Sequence, residues 1–196
     1  MTARGIERTE SSYSSQSDAD PIVAPLVALL DQLEWVLRRL DDTQYAAQRA
    51  LPISGTVGGH VRHCLDHISA LIIGATAGMV DYDHRRRGTA VESCRAAALI
   101  EIQRVTRDLR TLTSRHCDRP LALVAALDHH GARLSAPTSV GREVAFVVSH
   151  TIHHLAVIAL LLRDLAVEVP PRFGYAPTTP DFATASAGKP PRPTAA

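Results

Sequence analysis

Apolar positions recur at helical spacing along four stretches of the chain. Val23, Leu26, Val27, Leu30, Leu33, Val36, Leu37 and Leu40 follow a period of three to four residues, with Pro21 and Pro25 at the start where proline suits a helix. The pattern predicts a first helix over 22–40, broken by Leu51-Pro52-Ile53-Ser54-Gly55. A second helix follows from about Thr56 to Val80 on Val57, Val61, Cys64, Leu65, Ile68, Leu71, Ile72 and Ala75. Gly58 and Gly59 fall in its first turn, where glycine costs little and lets another backbone approach. After the polar run Asp81-Tyr82-Asp83-His84-Arg85-Arg86-Arg87-Gly88, the spacing of Val91, Cys94, Ala98, Ile102, Val105, Leu109 and Leu112 predicts a third helix over 89–113. The fourth runs from about Ser139 to Leu165. Between the last two, Leu121–Leu127 and Ala132–Ala136 flank the turn-like Asp128-His129-His130-Gly131, a pattern that suits a short hairpin.

Four helices in one small domain give an all-α expectation, a four-helix bundle over 21–182 with a short hairpin before the last helix. Residues 1–20 are rich in Ser, Thr and charge and read as a tail; residues 183–196, rich in Pro and Ala, read as another. Composition supports the helical reading, since apolar residues make up 45% of the chain but aromatics only 4%. The core must therefore be built mainly from Ala, Leu, Val and Ile.

The 21 basic residues balance the 20 acidic ones, which argues against a nucleic-acid binder that would need a basic patch interleaved with aromatics. Cys64, Cys94 and Cys117 form no CxxC and leave one over, so a reducing, cytoplasmic compartment is expected and a disulfide framework is not. The stretch from Val144 to Leu162 is long and apolar enough to raise a membrane question. Ser149, His150, His153 and His154 lie in its middle, so a helix buried in the bundle, with no membrane partner, is the expectation.

The ten histidines carry the chemistry. His60, His63 and His67 lie on the second helix and His150, His153 and His154 on the fourth. His150 and His154 are one turn apart, close enough for two imidazoles to reach one metal, and a third imidazole from a facing helix would complete a site with an open position. Single histidines such as His84, His116, His129 and His130 are more simply surface residues.

Thr56-Val57-Gly58-Gly59-His60-Val61-Arg62-His63, followed far along the chain by His150-Thr151-Ile152-His153-His154, resembles the DinB-like superfamily, also called the YfiT-like metalloenzyme group. The resemblance spans about residues 22–180 and implies a four-helix bundle that binds a divalent metal through three histidines. His63 matches the second-helix ligand, and His150 and His154 match the later pair; His67, His60 and His153 are the alternates. Arg142-Glu143 and the segment Phe173 to Pro180 resemble one branch of the group. Where many relatives continue with Arg-Gly-Gln, this chain has Leu155-Ala156-Val157. The resemblance further implies a metal-dependent enzyme acting on a small molecule, a low-molecular-weight thiol S-transferase or a related hydrolase, with homodimers common. A non-catalytic bundle that uses metal for stability or binds a small molecule is the alternative. Zinc, nickel, iron and manganese all accept imidazole, zinc and nickel being favoured.

Glu143, two turns before His150, and Asp66, beside His63 and His67, are candidates to accept an imidazole N–H and so fix a ligand's tautomer. An arginine of Arg85–Arg87 could hold a substrate carboxylate.

Overall fold

The computed structural model describes residues 19–50, 54–83, 88–163, 165 and 167–179. Most of both expected tails, the break at Leu51–Ile53 and the arginines Arg85–Arg87 lie outside the described residues. The chain is mostly helical with a small sheet. The helices are α1 (Ala24–Leu37), α2 (Asp42–Ala46), α3 (Val57–Ala77), α4 (Ala90–Ser93), α5 (Arg95–Leu109) and α6 (Val140–Arg163). The strands are β1 (Arg49–Ala50), β2 (Ser54–Gly55), β3 (Met79–Asp81), β4 (Pro120–Ala126) and β5 (Arg133–Ser139).

The four longest helices share one core. α3 packs against α5 and α6, and α1 packs against the same two. α1 contributes Leu26, Val27, Leu30, Leu33, Val36 and Leu37, all fully buried, as its apolar stripe requires. α6 is the one described helix long and apolar enough to cross a membrane by length and composition. Its contacts with α1 and α3 bury Val144, Val147, Leu155, Ile158, Leu161 and Leu162, which accounts for much of that apolar character.

Local signals set the ends of α3. The Thr56 hydroxyl accepts the Gly59 N–H at 2.8 Å, capping the first turn. Gly78, at φ 80°, closes the last turn in a left-handed conformation, and its N–H donates to the Gly74 carbonyl. Gly58 makes a close approach: a Cβ there would stand 2.1 Å from the carbonyl oxygen of Glu92 in α4.

Three features depart from the sequence reading. The second helix stops at Ala77, and Met79–Asp81 becomes a strand parallel to β4, with Val80 opposite Leu123. The third helix is not continuous. Cys94 is extended (φ −120°, ψ 107°) and separates α4 from α5, and α5 gives way to a 3-10 turn at Ser114–His116. The break is invisible in the pattern because Val91, Cys94 and Ala98 keep helical spacing across it. The first helix is followed by α2, opened by a capping box between Asp41 and Gln44. The expected hairpin is present as β4 and β5, paired antiparallel from Pro120–Ser139 to Ala126–Arg133. Together with β3 it forms a three-stranded sheet in the order β3-β4-β5, so the fold is helical with a sheet and not purely α.

Candidate metal centre

The helix pair α3 and α6 brings the two histidine groups face to face. Ring nitrogens of His63, His150 and His154, one from each residue, all lie within 4.8 Å of one another. The Nε2 atoms of His63 and His150 are 2.8 Å apart, and the ring of His154 lies 4.4 Å from that of His63 and 4.6 Å from that of His150. Two imidazole lone pairs at such a distance repel unless a proton or a cation lies between them. The donor set therefore fits a divalent cation: three imidazoles of the kind that suits zinc and its neighbours, on two packed helices.

Electrostatics keeps at least one donor bare. Burial, reinforced by the neighbouring His150, His60, His153 and His67, pushes His154 down to about 3 from its ordinary value of 6.5. A neutral imidazole keeps a lone pair for coordination. His60 is lowered as well, first by burial and then by His153.

The alternates take other places. His67 is buried and donates Nδ1–H to the His63 carbonyl at 3.0 Å. Its ring is stacked between His150, at 4.0 Å, and Tyr82, at 5.1 Å, so it braces His150 from the side. His60 sets its Nδ1 3.0 Å from Nδ1 of His154. His153 is exposed, its ring 5.0 Å from that of His154. Among the described residues, the group whose donors converge is His63, His150 and His154.

Glu143 is fully buried in the first turn of α6. Its carboxylate accepts from the Tyr82 hydroxyl at 2.8 Å, the Thr138 hydroxyl at 2.7 Å and Arg142 Nη1 at 2.8 Å. Tyr82, held on Glu143 and stacked on His67, links the carboxylate to the histidines. Its phenol is pushed well above the ordinary range by burial and by Glu143, so it stays a neutral donor. Asp66 pairs with Arg62 one turn away on α3. Cys64 is buried and its thiol is pushed up to about 12 by burial, which makes it a core residue and not a nucleophile. His116 caps the 3-10 turn through the Thr113 N–H.

A cavity of about 300 Å³ opens beside His63 and His67, bounded by Tyr82, Leu123, Arg142 and Phe146. Tyr82 falls in a polar connection of the sequence, and Phe146 and Thr138 carry no motif, so nothing in the sequence pattern marks these three as site residues. A second cavity of about 380 Å³ lies between α3, α4 and α5. Its charged groups are already paired, Arg62 with Asp66 and Glu92, and Glu101 with Arg104.

The sequence profile of the DinB superfamily matches residues 26–158 and so covers α1 through most of α6, including all three converging histidines. The chain belongs to the DinB superfamily. Members of this superfamily bind metal, and the three-histidine cluster is where this member could do so. A solved structure of a DinB-like protein from Bacillus cereus ATCC 10987 superposes with a TM-score of 0.53, covering 76% of this chain and 93% of that one at 16% identity. That likeness establishes the DinB-like fold. FK506-binding protein 5 of Rhizopus delemar is 32% identical over 102 residues, which is 52% of this chain. The match spans 26% of that relative's length.

Proposed function

We propose that this DinB-superfamily chain is a divalent-metal-dependent enzyme whose ligands are His63, His150 and His154. The favoured reaction is S-transfer from a low-molecular-weight thiol, with hydrolysis as the related chemistry, and zinc or nickel is the favoured ion. The reading rests on the convergence of three imidazoles beside a cavity large enough for a small molecule. Three protein ligands leave a coordination position for water or substrate. A bound divalent ion acts as a Lewis acid that lowers the pKa of a coordinated water or thiol.

The chain's own residues prepare the rest. His67 and Tyr82 wall the cavity and brace His150 by stacking. Phe146 and Leu123 supply apolar surface, and the Arg142 guanidinium, 5.4 Å above the Phe146 ring and ion-paired to Glu143 through Nη1, keeps its other N–H groups at the cavity edge for an acidic group of a substrate. We read α1, α3, α5 and α6 as the four-helix bundle expected of the family, working in the cytoplasm.

The test begins with elemental analysis of protein purified without a nickel column. About one metal per chain is expected in the wild type, with loss in His63→Ala, His150→Ala and His154→Ala. The metal-loaded protein should then turn over thiol-plus-electrophile pairs or model esters and amides. A metal-free wild type that stays folded and takes up no added zinc, nickel, iron or manganese overturns the reading. Stoichiometric metal with no turnover on any panel leaves the metal-stabilised, non-catalytic bundle in its place.

A further inference from the structure

We infer that His60 is a positioning residue for the metal centre: its Nδ1 accepts the Nδ1–H of His154 and holds His154 in the tautomer whose Nε2 lone pair is free for a cation. This rests on the reading that His63, His150 and His154 hold a divalent cation.

The two Nδ1 atoms are 3.0 Å apart. Neutral imidazoles at that distance share one proton, and the two arrangements have opposite consequences. When His60 keeps the proton, His154 accepts through Nδ1 and carries its own proton on Nε2, which caps that nitrogen. When His154 keeps the proton, its Nε2 is bare. Only the second arrangement leaves Nε2 of His154 able to coordinate, and it requires His60 as an acceptor.

The surroundings hold His60 in this role. His60 precedes His63 by three positions on α3, so the two point across the same helical interface, one to His154 and one to His150. Behind the ring lies Gly55, at φ 150° in a region that favours glycine. A Cβ there would stand 3.1 Å from Nε2 of His60, so the imidazole fills the space a side chain would take. With Nδ1 accepting, the His60 proton sits on Nε2, which is buried without a hydrogen-bond partner among the described residues, so this tautomer carries a desolvation cost that coordination of a cation by His154 offsets. His60 also stands outside the three donors that converge. It therefore acts on the site through His154.

Cobalt(II) alone, titrated into metal-free wild type, His60→Ala, His60→Gln and His154→Ala and followed by its visible absorption, tests the inference. His60→Ala should weaken cobalt binding about 10- to 100-fold while keeping one ion per chain and the wild-type band pattern. His60→Gln, whose amide oxygen can accept the same N–H, should recover most of the affinity, and the metal-free unfolding midpoints of the two variants should agree. The recovery separates positioning from a general loss of packing. His60→Ala with wild-type affinity overturns the inference, as does a band pattern altered in the way His154→Ala alters it, which would make His60 a ligand. A wild type that takes up no cobalt fails at the metal reading itself, a result distinct from either.

Discussion

Nε2 of His63 and Nε2 of His150 lie 2.8 Å apart although 87 positions separate them in the chain. The contact joins α3 and α6, the two helices that carry every histidine of the cluster.

Metal should stabilise the fold, because the unfolded chain keeps His63 far from His150 and His154. Free metal at 100 times the dissociation constant contributes about 2.7 kcal/mol. For a domain of this size that raises the melting temperature by roughly 5–11 °C. Differential scanning fluorimetry with and without a chelator measures it. Identical midpoints would mean that no ion binds the native state.

Acid should weaken the metal-free fold through His154. The unfolded imidazole takes up a proton below about 6.5, whereas in the fold it resists until about 3. Between these values the unfolded chain binds more protons, so stability falls as pH drops through that window. Denaturant midpoints in chelator at several pH values should decline more steeply for wild type than for His154→Gln. Parallel declines would sink this assignment.

Removing the buried carboxylate at Glu143 should cost stability. Glu143→Ala strands the Tyr82 and Thr138 hydroxyls and leaves Arg142 with no carboxylate in that pocket, a loss of about 2–3 kcal/mol. Urea unfolding reports it directly. A variant within error of wild type would show that water replaces the lost acceptor without penalty.

The adjacent glycines of α3 should behave differently. A Cβ at Gly58 would meet the Glu92 carbonyl at 2.1 Å and the Tyr45 ring at 2.8 Å, so Gly58→Ala should destabilise by about 1–3 kcal/mol. At Gly59 the one close atom is the Thr56 hydroxyl at 3.2 Å, and the better helix propensity of alanine offsets that crowding. Gly59→Ala should therefore stay near wild type. Equal thermal shifts in the two variants would contradict the close packing of α4 on α3.

The sequence carried the helices because each buries a stripe, and it carried the hairpin because a turn at Asp128–Gly131 separates two short apolar runs. The turn forms as that residue type allows: the Asp128 carboxylate accepts from the His130 and Ala132 N–H groups, and Gly131 takes φ 97°. β3 was not legible, since three residues following a helix show no alternation, and its pairing to β4 is a long-range choice. Spacing made the histidines legible as two groups, and the family resemblance, not spacing, paired His63 with His150 and His154. Spacing places His60, His63 and His67 on one face, while which of them meets His150 depends on the axial offset between α3 and α6. Tyr82 joins the site for the same reason, carried there by β3.

The three-stranded sheet clamps together the two helices that carry the candidate metal centre. β3 leaves α3 at Gly78, pairs with β4, and β4 passes through β5 directly into α6 at Val140. The two jaws are thus joined at one end by backbone hydrogen bonds. Bringing such distant segments together in a loose chain would cost roughly 4 kcal/mol of loop-closure entropy. Here the sheet and the core meet that cost during folding, so the proposed centre would offer an incoming ion a set pair of jaws, and a chelator would leave those jaws in place.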